Sequence, residues 1–500
     1  MPKFDTSTLR QDNDLSAFDK EQIYNGLDCC LTFEVFEELD KILRERNDPA
    51  FINVYNFERA LQAPAMDMML RGWKIDEYER HSNEARLQKD LTRLQNILNR
   101  YSFAVWGKGL NANSPEQLKT FFYGAMGIPE VSISFKGIKR VSTNREALEK
   151  VSDYFYALPI VKCIFAIRDV SKLLSVLRTE ISSDGRMRTS YNIAGTETGR
   201  WSSSKSVEGT GTNLQNITPE LRKMFISDKG KKLIHVDLEQ AESRVVGLIF
   251  WALFGDRSYL DAHESGDLHT TNAMLLWPAL VHGKDSAEIF FYLKHTYRDM
   301  AKRGGHLSNY RGSAWMMSRA LHIPIPIAES FQDAYYRAYP SFQKWYNWCA
   351  RQIQLHSSLT TPLGRQRLFF GRDSDDAIIR EAIAYIPQST VADTTNTILY
   401  RIWEQMPEVE LLGQTHDSID FQCNEDDVEK VIDKFKNLSQ IEISWEGKSI
   451  IIPVDIATGW NWGLQERRGL WTAEQNPNGL KKWKGTDGRK RVCGLDRIMA

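Results

Sequence analysis

Two aspartates stand where a strand can carry a carboxylate to an open edge. Asp237 follows Leu233-Ile-His-Val, and Asp417 sits within Gln414-Thr-His-Asp-Ser. A carboxylate at a strand end or hairpin tip stays accessible while the strand anchors it. Brought together, two such groups would bind two hard cations through oxygen. Paired cations can clamp the attacking and leaving oxygens of a phosphoryl transfer. A second pattern lies between them in sequence: Arg298, Lys302, His306 and Tyr310 recur every four residues. On a helix these share one face, and two cations, an imidazole and a phenol suit a triphosphate and a base. Solvated aspartates and exposed basic helices are common, so neither pattern decides the matter alone. Gly304 and Gly305 cost that helix about 1 kcal/mol each relative to Ala, so something beyond propensity must hold it.

Periodicity indicates the elements that must position these groups. Residues 15–46 read as helix, with Ile23, Leu27, Leu31, Val35, Leu39 and Leu43 at helical spacing. Residues 83–102 read likewise, through Leu87, Leu91, Leu94 and Ile97. Gly107 to Pro115 interrupts the pattern, a short strand is expected near Val131 to Phe135, and helix resumes from Asn144 to about Arg178. Thr189 to Ile193 looks strand-like, and residues 196–216 are rich in Ser, Thr and Gly. Lys232 to Asp237 reads as a buried strand ending on its carboxylate, and residues 239–350 as mostly helical. Leu411 to Cys423 reads as a hairpin with a polar tip, and Pro453 to Ala457 as a further strand.

The chain has 500 residues, a net charge of −1, 42% hydrophobic and 26% charged residues. That length calls for several lobes. No apolar run approaches a bilayer span. The start, MPKFDTSTLRQDND, lacks the apolar stretch of a secretory signal and carries early acidic residues. None of Cys29, Cys30, Cys163, Cys349, Cys423 and Cys493 forms a CxxC pair, which disfavours zinc-ribbon and disulfide scaffolds. A cytoplasmic setting is expected. Near-zero net charge does not exclude nucleic acid, because local basic surfaces do the binding. Residues 466–500 read as a basic tail, with Arg467, Arg468, Lys481, Lys482, Lys484, Arg489, Lys490, Arg491 and Arg497 around Trp471 and Trp483. Such a tail suits a nucleic-acid backbone, or is simply a solvated extension.

Seven segments together resemble the family A DNA polymerases, the bacterial DNA polymerase I type. Asp237-Leu-Glu-Gln-Ala-Glu242-Ser-Arg244 looks like the first palm motif, Arg298 to Tyr310 like the nucleotide-binding fingers helix, and His416-Asp417 like the second palm motif. Thr196-Glu-Thr-Gly-Arg200-Trp-Ser-Ser with Asn213-Leu-Gln-Asn-Ile217 resembles the primer-template segment. Gly266-Asp-Leu-His269 is similar to a fingers histidine segment, Gln388-Ser-Thr-Val-Ala-Asp393 to a glutamine segment that contacts DNA, and Asn111 to Leu118 to the thumb. These occur in family order from residue 15 to about 465.

The resemblance implies an α+β, right-hand polymerase fold with a thumb, an antiparallel-sheet palm and helical fingers. It divides the chain into a nuclease remnant (1–50), thumb and start of palm (51–185), first part of palm (186–245), fingers (246–385), second part of palm (386–465) and the tail. Asp237, Asp417 and the Leu238 carbonyl are implied to hold two Mg²⁺ ions, or Mn²⁺. Lys302, implied also as catalytic, is expected with Arg298, His306, Tyr310, His269 and Gln240 at the incoming deoxynucleoside triphosphate. Glu242 resembles the gate that crowds the sugar 2′ position. Arg200, Asn213, Gln215, Arg244, Arg380, Gln388 and His416 are implied to contact primer-template DNA.

The chain also departs from the family pattern. Ser418 stands where a Glu is usual, His306 where Phe or Tyr is usual, Arg311 in place of Gly and Ala384 in place of Asn. Leu238 and Glu239 replace an aromatic and a small residue. A divergent member of the kind expected from a bacteriophage would look like this. Tyr24-Asn-Gly-Leu-Asp28 with Thr32 resembles the last motif of a 3′–5′ exonuclease, whose other carboxylates would lie upstream; Asp5, Asp12 and Asp14 do not resemble them. The chain alone is therefore expected not to proofread, and a separate exonuclease chain or a processivity factor is a candidate partner. Two rival readings stay open. One is a single-subunit RNA polymerase, against which Glu242 speaks. The other is a decayed polymerase kept as a primer-template binding protein, which Ser418 and His306 favour.

Overall fold

A computed structural model of the chain describes residues 16–135, 138–292, 295–372 and 375–484. Its centre is a five-stranded antiparallel sheet. The strands are β1 (Lys231–Leu238), β2 (Glu410–Thr415), β3 (Ser418–Asn424), β4 (Val454–Gly459) and β5 (Lys481–Lys482), in the order β2-β3-β1-β4-β5. Side chains alternate across such a sheet. Ile234, Val236, Ile419, Phe421 and Ile456 enter the largest apolar core. There they meet α4 (Ala241–Phe254), α8 (Asp376–Gln405) and α9 (Val428–Leu438). Cross-strand register places Asp237, His235, Ser418, Asp420 and Asp455 on the opposite face. That second face meets a smaller core containing Leu233, Trp73 and Trp462.

A long antiparallel helix pair, α2 (Glu77–Trp106) and α3 (Leu158–Leu177), forms a lobe with its own apolar cluster around Leu98, Phe121, Phe122 and Ile164. The 144–178 stretch is two helices rather than one. Arg145–Val151 ends at Ser152, and α3 begins at Leu158, with Pro159 in its first turn. The apolar period simply continues across the break. The helical region after residue 239 is likewise interrupted by a hairpin, Phe290–Tyr292 with His295–Thr296. At the N-terminal end, α1 (Ala17–Arg46) exposes much of its apolar stripe, including Phe33, Phe36 and Leu39. Among the described residues no helix is long and apolar enough to cross a membrane.

Part of the stretch read as a basic tail belongs to the sheet. Residues 465–484 return to the sheet, where Leu480 and Asn476 are buried and Lys481 and Lys482 pair with Thr458 and Ala457. Residues 485–500, with Arg489, Lys490, Arg491, Cys493 and Arg497, lie outside the described residues.

The helix α6 (Tyr297–Asn309) answers the question its glycines raise. Thr296 caps it by accepting from the Asp299 amide. Gly304 lies so close to α7 (Ile325–Ala338) that an added Cβ would sit 2.6 Å from the Phe331 ring. A missing side chain, not propensity, lets the two helices meet. Gly304→Ala should therefore destabilise the protein by about 1–2 kcal/mol through overpacking. Propensity alone would instead stabilise it by about 1 kcal/mol. A thermal melt decides between them: a midpoint at or above that of the unaltered chain would show that Phe331 moves aside freely.

Candidate active site

The site begins with a register. Ser418 of β3 faces Asp237 of β1, and the Leu238 amide donates to the Asp417 carbonyl at 3.0 Å. Asp237 thus ends its strand beside the turn that carries Asp417. His416, at the tip of that turn, takes a left-handed conformation with φ of 50°. Burial pushes the Asp237 carboxyl up to about 7, with the Asp417 charge adding to the shift. Burial raises Asp417 as well, with Glu242 adding to it. Two half-buried carboxylates in mutual repulsion form a donor set that fits hard divalent cations. Among the described residues no group of three or more His, Cys, Asp or Glu side chains gathers at one metal position.

Above the sheet end, Glu242 in the first turn of α4 joins two segments. Arg200 makes an ion pair with it, and the Tyr310 hydroxyl donates to its other oxygen. Tyr310 caps the C-terminus of α6, edge-on to His306 at 5.4 Å. Arg298, Lys302 and His306 rise along that helix, and His269 of α5 (Leu268–Leu276) lies within their field. Burial first, and then Lys302, Arg298 and His306, hold the His269 imidazole down at about 4 despite an opposing pull from Asp267. It is therefore neutral near pH 7 and able to donate one hydrogen bond. Lys302 is exposed. Arg298, by contrast, is paired with Asp267 at 2.8 and 3.0 Å.

The remaining expected contacts are distributed around this centre. Gln240 adopts φ of 52° at the start of α4. Arg244 donates to the Glu239 carbonyl at 3.0 Å. Asn213 accepts from Ser203 at 2.6 Å. Gln215 is buried, its amide donating to Gln414 of β2. Gln388 and Arg380 lie on α8, where Arg380 pairs with Asp376. The helix α1 sets Tyr24 and Asp28 on exposed positions, with the Thr32 hydroxyl bonded to the Asp28 carbonyl at 2.6 Å.

Sequence reading missed several supporting groups. Arg365 binds Asp393 at 2.7 Å and also Glu58. Its guanidinium carbon would lie 2.7 Å from a Cβ at Gly199, whose φ is 75°. The Thr196–Arg200 loop thus rests on a buried ion network. His235 and Asp420 pair at 2.7 Å on the carboxylate-bearing face. The available signal was the even–odd alternation of β1 and β3, which puts both on the same side as Asp237.

A sheet-end carboxylate pair is thus joined through Glu242 to the end of the cationic helix α6, in a chain that also carries a helix-pair lobe. The model for DNA polymerase family A matches residues 81–464. The chain belongs to that family. It is 26% identical to a Helicobacter pylori DNA polymerase I over 433 residues, covering 82% of this chain and 44% of the relative. A thermostable DNA polymerase I of Thermus filiformis is 28% identical over 431 residues, with coverages of 81% and 47%. The chain thus spans about half the length of the curated relatives it matches. In fold it is similar to the POL domain of Pol1 from M. smegmatis, solved in complex with DNA primer-template and dNTP. The TM-score is 0.66 at 21% identity, over 81% of this chain and 69% of that one.

The Asp237 shift has a thermodynamic consequence. Its folded value, about 7, exceeds the usual 3.8. Between those values the folded state binds more protons than the unfolded one, so metal-free stability falls as pH rises through that window. Asp237→Asn should remove this loss. In chelator at pH 8 it should be more stable than the unaltered chain, on the order of 2 kcal/mol after allowance for solvent screening. The difference should shrink toward pH 4. A constant difference across that range, by denaturant unfolding, would contradict the electrostatic account.

Proposed function

We propose that the chain is a template-directed DNA polymerase. The observation that supports this reading is that Glu242, whose charge acts on Asp417, accepts from Tyr310 at the end of the helix carrying Arg298, Lys302 and His306. In the proposed reaction a primer 3′-hydroxyl attacks the α-phosphorus of a deoxynucleoside triphosphate. One P–O bond forms, the bond to the β-phosphate oxygen breaks, and pyrophosphate leaves. Arg298, Lys302 and neutral His269 would bind the triphosphate, where preplaced donors stabilise developing charge. Arg298 must exchange Asp267 for phosphate as it does so. Asp237, Asp417 and the Leu238 carbonyl would hold two divalent cations, Mg²⁺ or Mn²⁺, which supply Lewis-acid stabilisation when bound. Tyr310, His306 and Gln240 would line the base and sugar.

Arg200, Asn213, Arg244, Gln388, Arg380 and His416 would face primer-template DNA, while Gln215 would act through the β2–β3 hairpin it braces. Residues 51–185 would serve as thumb and start of palm, 186–245 and 386–465 as palm, and 246–385 as fingers. Residues 1–50, with Tyr24 and Asp28, are assigned no step in this reaction. A separate exonuclease or processivity factor remains a proposed partner, in the cytoplasm of a bacterial host.

Asp237→Asn or Asp417→Asn should each lower primer extension in Mg²⁺ by about a thousandfold or more, roughly 4 kcal/mol of barrier. DNA affinity, by anisotropy, should stay within about threefold. Turnover near that of the unaltered chain in either variant would overturn the assignment.

Glu242→Ala breaks the links to both Arg200 and Tyr310 and opens the sugar position. It should raise the kcat/KM for ribonucleotides relative to deoxynucleotides by about tenfold or more. An unchanged ratio would remove Glu242 as the gate. A chain that already prefers ribonucleotides would favour the RNA polymerase reading.

A further inference from the structure

The family match ends at residue 464, yet the sheet does not. Residues 465–484 continue it as a built element. Leu480 is 4% exposed and Asn476 2%, and Asn476 exchanges amide hydrogen bonds with buried Asn461. Gly479 approaches Gln465 so closely that a Cβ there would lie 2.6 Å from its backbone. The Trp471 indole donates to the Leu464 carbonyl at 2.7 Å. Twenty residues so fastened are not a solvated extension.

Their charge differs from that of the chain. Arg467, Arg468, Lys481, Lys482 and Lys484 outnumber Glu466 and Glu474, so five positive and two negative give +3, within a chain of net −1. Register sets where part of that charge goes. Lys482 pairs with Ala457, on the sheet face that carries Asp455 and Asp237, and its amine reaches the Asp455 carboxylate at 2.7 Å. Arg222 stacks on Trp462 at 4.3 Å and lies within the fields of Arg467, Asp420 and Asp237. Lys223 sits over Trp471 at 5.6 Å. Lys223 is paired with Glu79 at 3.4 Å, so the extension and Arg222 supply the cationic rim, which lies beside Asp237.

We propose that this rim, centred on Lys482 and Arg467, grips the sugar–phosphate backbone of the primer-template. The proposal rests on the polymerase reading for its choice of partner. The Asp455 pair holds Lys482 on the carboxylate side of the sheet, and a phosphate would take over the amine as the strand is seated. Half-exposed, at 55% for Lys482 and 41% for Asp455, the ion pair contributes little to stability and exchanges readily. Contacts of this kind set affinity and salt dependence without reading sequence.

The test is the slope of log Kd against log KCl for a primer-template duplex, measured by fluorescence anisotropy. Each lost phosphate contact should reduce the slope by about 0.9. Lys482→Gln should remove about one such unit and Arg467→Gln with Lys482→Gln about two, while Arg467→Lys with Lys482→Arg should restore the slope. Lys482→Gln alters only an exposed edge strand, so it reports even if the double variant folds poorly. Slopes unchanged in both neutralised variants would overturn the proposal. Primer extension by the unaltered chain, run alongside, tests the polymerase reading separately. Failure to extend with the predicted slope changes would sink that reading and leave the rim standing.

Discussion

Ser418 pairs with Asp237 across β3 and β1, and the Leu238 amide holds the Asp417 carbonyl at 3.0 Å. That register sets Asp237, Asp420, His235 and Asp455 on one face of the sheet. Because side chains alternate along a strand, a slip of one residue would turn Asp237 into the apolar core and Val236 into the cleft. Ile234, Val236, Ile419 and Phe421 prevent the slip by filling the core on the other face. Each such side chain contributes roughly 1.5–3 kcal/mol by burial. That exceeds the cost of holding two carboxylates in each other's field. The same strands thus secure an arrangement that their polar face, by itself, would disperse.

The charges around this pair fall into two kinds. Arg365, Asp393 and Glu58 form a network whose side chains are 12%, 6% and 18% exposed, beneath Gly199. Removing one partner from such a group leaves a buried charge uncompensated, so the network behaves as structure. Arg298 with Asp267 is about one-third exposed on each side. Arg200 with Glu242 is near one-quarter. These partners can be exchanged for a ligand's charges at modest cost. The protein thus neutralises Arg298 and Arg200 internally while leaving them partly exposed, and buries the charge network only beneath the Gly199 loop.

Where one short segment brings the chemical groups together, the sequence could show them. Asp237, the Asp417 turn and the four-residue repeat of α6 are local patterns, and the structure sets the two aspartates on neighbouring strands and the repeat on one helix. Arg365 could not be read in this way, because its partners lie 28 and 307 residues distant in the chain. Gln215 shows the opposite limit. The motif around it implied a DNA contact, and its burial against Gln414 depends on how a Ser- and Gly-rich segment folds onto β2. Composition shows Lys481 and Lys482 as solvated, which they are, but not that their backbone joins the sheet. Only the backbone pairing with Thr458 and Ala457 makes them part of the sheet.

Arg311 shows how a departure from the family pattern is accommodated. It has a φ of 56°, in the left-handed region that the usual glycine occupies without strain. A side chain there costs about 1–2 kcal/mol. Its ion pair with Asp376 at 3.0 Å is exposed, with side chains at 42% and 53%, and offsets at most part of this. The conformation is imposed by its neighbours instead. The Arg311 amide donates to the Ser308 carbonyl at 3.1 Å, and the Gly312 amide to the Leu307 carbonyl at 2.9 Å. The Gln332 side chain donates to the Gly312 carbonyl at 2.6 Å. With both flanks fastened, α6 must stop where it does, and Tyr310 is left facing Glu242. The strain at 311 is the cost of ending the cationic helix at the point where Tyr310 meets Glu242.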